Sequence, residues 1–207
     1  CEDVLRRCKD GAAEIILSFD DSSLTRFANN TIHQNVSERD ADVLVRFVIG
    51  KQIGTASSNR IDPAGLDELV EQARFNAQAS PEDPTYPGLS QPAEYAHVTA
   101  FDPATAQYTP EARSQAVGVV CRLAAEKGLN AFGAFSTGAM QVAIANSQGV
   151  FAYHSMTRAD FQTVVMSQDS SGRAHGSGWN TAQFDPETLG RQAVAKAEMG
   201  HNPRLAE

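Results

Sequence analysis

Ala41-Asp-Val-Leu-Val-Arg-Phe-Val-Ile49 leads through Gly50-Lys51 and Gln52–Ala56 to Asp62-Pro-Ala-Gly-Leu66. The same succession returns from Ala159-Asp-Phe161 to Phe184-Asp-Pro-Glu-Thr-Leu189. In each copy a β-rich run precedes an Asp-Pro helix start and an alanine-rich amphipathic helix. The copies are offset by 118 residues at the Ala-Asp pair and by 123 at the Asp-Pro pair, which assigns about five extra residues to a loop of the second. Repetition on this scale decides the fold before any single motif does.

Working outward, Glu14–Phe19 reads as a strand, and Leu24–Ala28 and Thr31–Glu38 as two strands hinged at Asn29-Asn30. Asn tolerates positive φ, so the pair suits a tight turn. Asp62 is placed to cap a helix while Pro63 occupies its first turn, where a missing N–H costs nothing. Leu66, Leu69, Val70, Ala73 and Ala77 give that helix one apolar face. Between Ser80 and Pro110 lie six of the nine prolines, so no helical period survives and the segment reads as an extended linker.

The second module opens on the capped start Thr109-Pro110-Glu111, a helix stopped by Gly128. Strands are expected at Ala131–Ser136, Met140–Asn146, Val150–Thr157 and Phe161–Ser167, with Asn146-Ser-Gln-Gly149 as a turn. Gln168–Gly172 reads as a polar loop, Arg173–Trp179 as an edge strand, and Asp185-Pro186 as the start of a closing helix ended by Gly200. Runs of strands separated by helices indicate α+β. The expected architecture is two duplicated modules, each a largely antiparallel sheet with packed helices, joined by a Pro-rich linker.

With 42% hydrophobic and 20% charged residues the composition is that of a globular protein, and no apolar run approaches bilayer length. Neither a membrane anchor nor a signal peptide is expected. The net charge of −8, with no Lys/Arg cluster, argues against direct nucleic-acid contact, which depends on neutralising phosphates. Cys1, Cys8 and Cys121 are odd in number and lack CxxC spacing, which fits reduced thiols in the cytoplasm. The chain opens on Cys1 inside a helical pattern and closes on Asn202–Glu207 without a capping signal; it reads as a segment of a longer protein.

No complete catalytic set is legible. No two of His33, His97, His154, His175 and His201 stand four residues apart, so HExxH is absent. Glu198 and His201 have the i, i+3 spacing of carboxylate-bridged metal sites. Alone beside Gly200 they read as a surface contact at a helix C-terminus, where His suits the dipole. Gly172-Arg-Ala-His-Gly-Ser-Gly178 matches neither GxGxxG nor the Walker pattern; it reads as a turn or bulge whose glycines allow another backbone to approach. Ser136 misses the GxSxG elbow because Ala134 stands where the first glycine belongs. His154 and His175 both fall in strands, with no assigned proton-transfer role. Catalytic, cofactor-binding and metal residues are therefore each expected to be none in this segment.

Leu24-Thr-Arg-Phe-Ala-Asn-Asn-Thr-Ile-His33, Val45-Arg-Phe-Val-Ile-Gly-Lys-Gln-Ile-Gly-Thr-Ala-Ser-Ser58 and the Asp62-Pro63 helix resemble the first domain of the TldD/PmbA family. Asn146-Ser-Gln-Gly-Val150, the glycine-bearing loop around Gly172, and Ala195-Lys-Ala197 leading to Asn202-Pro203 are similar to its central domain. The resemblance implies a first domain over 1–80, a linker over 81–109 and a central domain over 110–207, with the family's C-terminal domain outside this chain. Members are described as modulators of DNA gyrase, and TldD pairs with PmbA (TldE) as a cytoplasmic metalloprotease processing peptides. Its HExxxH metal motif lies in the third domain of TldD-type members and is lacking in PmbA-type ones. The resemblance thus implies zinc only in that missing domain, a homodimer or a heterodimer with a paralogue, a peptide substrate, and no nucleic acid or membrane partner. Whether the parent is of the catalytic or non-catalytic type stays open, as does a modulator acting only through protein–protein binding.

Overall fold

The computed structural model describes residues 1–203; Arg204–Glu207, the end of the second expected module, lie outside the described residues. In chain order the elements are α1 (Glu2–Arg7), β1 (Ala12–Ala28), β2 (Thr31–Ile49), β3 (Gln52–Ser58), α2 (Pro63–Ala79), α3 (Pro103–Ala106), α4 (Pro110–Ala125), β4 (Asn130–Asn146), β5 (Phe151–Met166), β6 (Ser171–Gly178) and α5 (Pro186–Met199). A 3₁₀ turn, Thr181–Gln183, precedes α5. The expected α+β class is observed: antiparallel strands with packed helices. All six strands belong to one open sheet ordered β3-β2-β1-β4-β5-β6.

Four strands are much longer than the sequence pattern suggested. β1, β2, β4 and β5 span 17, 19, 17 and 16 residues, where the pattern divides each in two. The divisions fall at polar stretches such as Asp20–Ser23 and Arg39–Ala41. Ladder hydrogen bonds belong to the backbone, so a polar face need not end a strand. Ser23 and Ser37 even face one another across β1 and β2, hydroxyl to hydroxyl at 2.8 Å.

The turns and helix starts follow local chemistry. Asn29 and Asn30 take φ of 51° and 59°, the left-handed pair a two-residue hairpin requires. The Asn146 side chain accepts from the N–H groups of Gln148 and Val150, folding the β4–β5 turn. Asp62, Asp102, Thr109 and Asp185 cap α2, α3, α4 and α5, each followed by proline in the first turn. Asp102 and α3 lie inside the expected linker, whose residues 84–102 otherwise form no helix or strand.

The chain divides into two compact units. The first comprises 1–20, 39–99 and 140–155; the second comprises 21–38, 100–139 and 156–207. In the first, α2 packs on β3, and the core is mainly aliphatic: Val4, Ile15, Val43, Val45, Phe47, Leu69 and Val70. In the second, α4 and α5 pack together and α5 covers β6. Its core is aromatic at the centre, with Phe135 5.1 Å from Phe161, 5.5 Å from Tyr108 and 5.9 Å from Phe184 between ring centroids.

The repeat is visible within each unit. β2 pairs β3 with Leu44 opposite Ser57 and Phe47 opposite Gly54; β5 pairs β6 with Gln162 opposite His175 and Val165 opposite Gly172. Both strands of the second hairpin therefore keep the 118-residue offset, and the extra residues enter only after β6, where the 3₁₀ turn stands. Each hairpin also meets its helix through a glycine. A Cβ on Gly54 would lie 2.3 Å from the Ala73 carbonyl oxygen and 2.1 Å from the Ala77 nitrogen. On Gly172 it would lie 2.0 Å from the Ala193 carbonyl oxygen and 2.6 Å from the Ala197 nitrogen. Alanines one turn apart and a strand glycine bring helix and sheet backbones together.

Candidate functional site

The residues that drew attention in the sequence do not assemble into a reactive centre. Ser136 stands inside β4, not at a strand-to-helix turn, so no nucleophile elbow forms. Glu198 pairs with Lys127 at 3.0 Å, whereas His201 bonds Asp169 at 2.8 Å, which separates their roles. Hydrogen bonds from the Asn202 N–H, then from His201 and Ser167, hold Asp169 down to a pKa of about 2. His33 and His97 are exposed and His154 is partly exposed on β5. All three cysteines are free thiols, and burial pushes Cys8 up to about 11 and Cys121 upward, so neither supplies a thiolate at neutral pH. Among the described residues no group of three or more His, Cys, Asp or Glu could hold a metal ion.

The two ends of the sheet offer a more specific geometry. At the β3 end, Gln52 forms an isolated bridge with Glu82, the Asp83 N–H donates to the Lys51 carbonyl at 3.0 Å, and Gln52 Nε2 donates to the Ser80 carbonyl at 2.7 Å. Lys51 Nζ adds a bond to the Pro84 carbonyl at 2.8 Å. The start of that edge is thus blunted by the chain leaving α2, and further along Asn76 Nδ2 donates to the Thr55 carbonyl at 2.8 Å. β6 is different. Among the described residues its backbone is hydrogen-bonded to β5 alone, apart from Lys196 Nζ on the Arg173 carbonyl at 2.8 Å.

The two faces of β6 follow the period-two rule. Gly172, Gly176 and Gly178 are crowded by α5, by Phe184 with Leu189, and by Gln183 respectively. The backbone that these glycines admit is therefore the protein's own helix. Arg173, His175 and Ser177 alternate with them and are exposed. His175 Nε2 lies 2.6 Å from Asp160 Oδ2 across the β5–β6 ladder. A carboxylate only accepts, so Nε2 is the donor of this pair. Asp160 entered the sequence reading only as a marker of the repeat; nothing in spacing along the chain signalled that it faces His175.

Comparison with known proteins fits this architecture. The model of the PmbA/TldA metallopeptidase domain 1 matches residues 13–77, and that of the PmbA/TldA metallopeptidase central domain matches residues 88–200. No curated protein gave a significant match. Among solved structures, TldE from Thermococcus kodakarensis superposes with a TM-score of 0.86 at 18% identity, over 95% of this chain and 47% of that one. A proposed modulator of a DNA gyrase from Thermotoga maritima gives 0.87 at 13% identity, over 100% and 49%. Another from Bacteroides thetaiotaomicron gives 0.82 at 12% identity, over 100% and 50%. At such identities these likenesses speak for the fold alone, and the chain spans about half the length of each. The two family models, which follow one another along most of the sequence, place this chain in the PmbA/TldD metallopeptidase family.

Proposed function

We propose that this chain is the scaffold portion of a PmbA/TldD-type subunit that processes peptides in the cytoplasm, working as a homodimer or beside a paralogous subunit. Within it, β6 is the element that receives substrate. An extended peptide adding to that edge would gain backbone hydrogen bonds without side-chain demands, which suits an enzyme acting on unfolded chains. The observation that carries this reading is that β6 is left with β5 as its backbone partner, whereas the start of β3 is covered by Glu82 and Asp83. The chain's own part is to bind and orient; no donor set for zinc is present among its described residues, so bond cleavage is assigned to the rest of the subunit.

The test is cleavage of an unstructured peptide by the full-length protein with its partner and zinc. Cleavage abolished by chelation supports the reading. Absence of cleavage with zinc bound and the partner assembled overturns it in favour of a non-enzymatic partner or modulator. The proposed gyrase-modulator role of two structural relatives motivates that alternative. The acidic balance of −8 suits binding to a basic protein surface better than to DNA.

A further inference from the structure

β5 outruns its outer neighbour. It begins at Phe151, yet β6 pairs with it only from Ala159 to Met166. In an antiparallel strand the N–H and C=O of one residue lie on the same side, and successive residues alternate between the two sides. The Thr157 N–H faces away from β4 and donates to the Ala100 carbonyl at 2.8 Å. By that alternation Phe151, Tyr153 and Ser155 also turn their backbone groups outward. Among the described residues no backbone bond meets them there. This free stretch lies wholly within the first unit.

Its chemistry differs from that of the other edges. The start of β3 is covered by Glu82 and Asp83, and β6 carries Arg173 and His175 and takes Lys196 on its backbone. Covers, charges and prolines of this kind ordinarily protect an edge strand. Phe151-Ala-Tyr-His-Ser155 contains no Lys, Arg, Asp, Glu or Pro. Phe151 and Tyr153, two residues apart, share one face of the strand and are 62% and 56% exposed. The Tyr153 hydroxyl donates to Gln141 Oε1 at 3.1 Å, which orients its ring.

We infer that Phe151–Ser155 binds an extended peptide with uncharged, apolar side chains, which adds to β5 as a further strand. A row of unmet N–H and C=O groups is matched by the backbone of another extended segment. The two exposed rings offer cross-strand partners to apolar and β-branched side chains, and the edge offers no counter-ion to a charged one. Length decides between a peptide and a second copy of the chain. Five residues span about 17 Å, enough for a short peptide. The same edge paired with its copy would give five residues a side, where a stable interface needs roughly 20–30. The site is separate from the outer edge of β6 and does not depend on the cleavage reading.

The experiment is calorimetric titration of the protein with N-acetyl-Val-Thr-Val-Thr-Val amide, followed by amide hydrogen exchange of the complex. Peptide is expected to slow exchange at Phe151, Tyr153 and Ser155 by at least about tenfold and to leave Ala152 and His154 unchanged. The same peptide N-methylated at its second and third residues loses a donor on either edge, and is expected to bind about tenfold more weakly. Replacing its three valines by glutamine, or Tyr153→Lys in the protein, is expected to cost about as much. Equal binding of the methylated or the glutamine peptide, no binding at about 10 mM, or unchanged affinity in Tyr153→Lys would each overturn the assignment. So would slowed exchange confined to β6. A dimer whose Phe151, Tyr153 and Ser155 amides are already protected without peptide would give the edge to a second copy instead.

Discussion

The hairpin β2–β3 under α2 and the hairpin β5–β6 under α5 are built to one plan and used differently. Their registers match, each closes on its helix through a strand glycine against two alanines, and each helix starts at a capping Asp followed by Pro. In the first, the departing chain covers the start of the outer strand, and the core is mainly aliphatic. The second leaves its outer strand open and surrounds an aromatic centre that also houses a buried arginine. Duplication supplied a stable unit twice. The features that can serve binding were built on only one copy.

The largest effect expected concerns the two cores. Phe135→Ala should cost about 3–5 kcal/mol in urea unfolding, and more than Phe47→Ala, because Phe135 meets three other rings and each such pair adds about 0.5–1.5 kcal/mol. Equal costs would show that the aromatic centre adds nothing beyond volume. Next come the glycines. Gly54→Ala and Gly172→Ala should each destabilise by about 1–3 kcal/mol, since the new methyl meets helix backbone that cannot turn aside. A difference between the two much above ~0.5 kcal/mol would break the equivalence of the clasps.

The caps give smaller effects. Asp185 accepts from the Glu187 and Thr188 N–H groups, while Asp62 accepts from Gly65. Asp185→Ala should therefore lower the urea midpoint more than Asp62→Ala. Acid unfolding gives the smallest signal. The pKa of Asp62 is lowered chiefly by the Gly65 N–H, that of Asp185 by Thr188, and that of Asp169 to about 2. Depressed folded values mean that these contributions are full above the ordinary carboxylate pKa of about 4 and fade as pH falls through the lower folded values. Asp169→Asn should lower stability at neutral pH, where the contribution of the charged form is full, and flatten the stability curve in the window from about 4 down to 2.

Much of this was readable in the chain. Asp62-Pro63, Thr109-Pro110 and Asp185-Pro186 each announce a helix start because the side chain itself makes the capping bond, and Asn29-Asn30 announces a turn because Asn tolerates positive φ. Strand length was not readable. Asp20–Ser23 and Arg39–Ala41 look like breaks because sequence pattern reports side-chain burial, whereas strand continuity depends on a neighbouring backbone. The candidate sites were still less legible: Asp160 and His175 are 15 residues apart and meet only through the β5–β6 register, and Phe151–Ser155 is an edge only because β6 ends opposite Ala159. Arg113 likewise looks like an ordinary surface residue of a helix start, yet it is buried.

What the sequence by itself determined is therefore the local and the periodic: the repeat, its capped helices, its turns and the apolar face of α2. These depend on interactions spanning a few residues. The tertiary structure alone decided that the strands share one sheet, that the start of β3 is covered while β6 has β5 as its backbone partner, and that Arg113 is buried against Thr25 and Thr137. Those outcomes depend on which distant segment lies alongside, and on charges whose cost is set by what surrounds them.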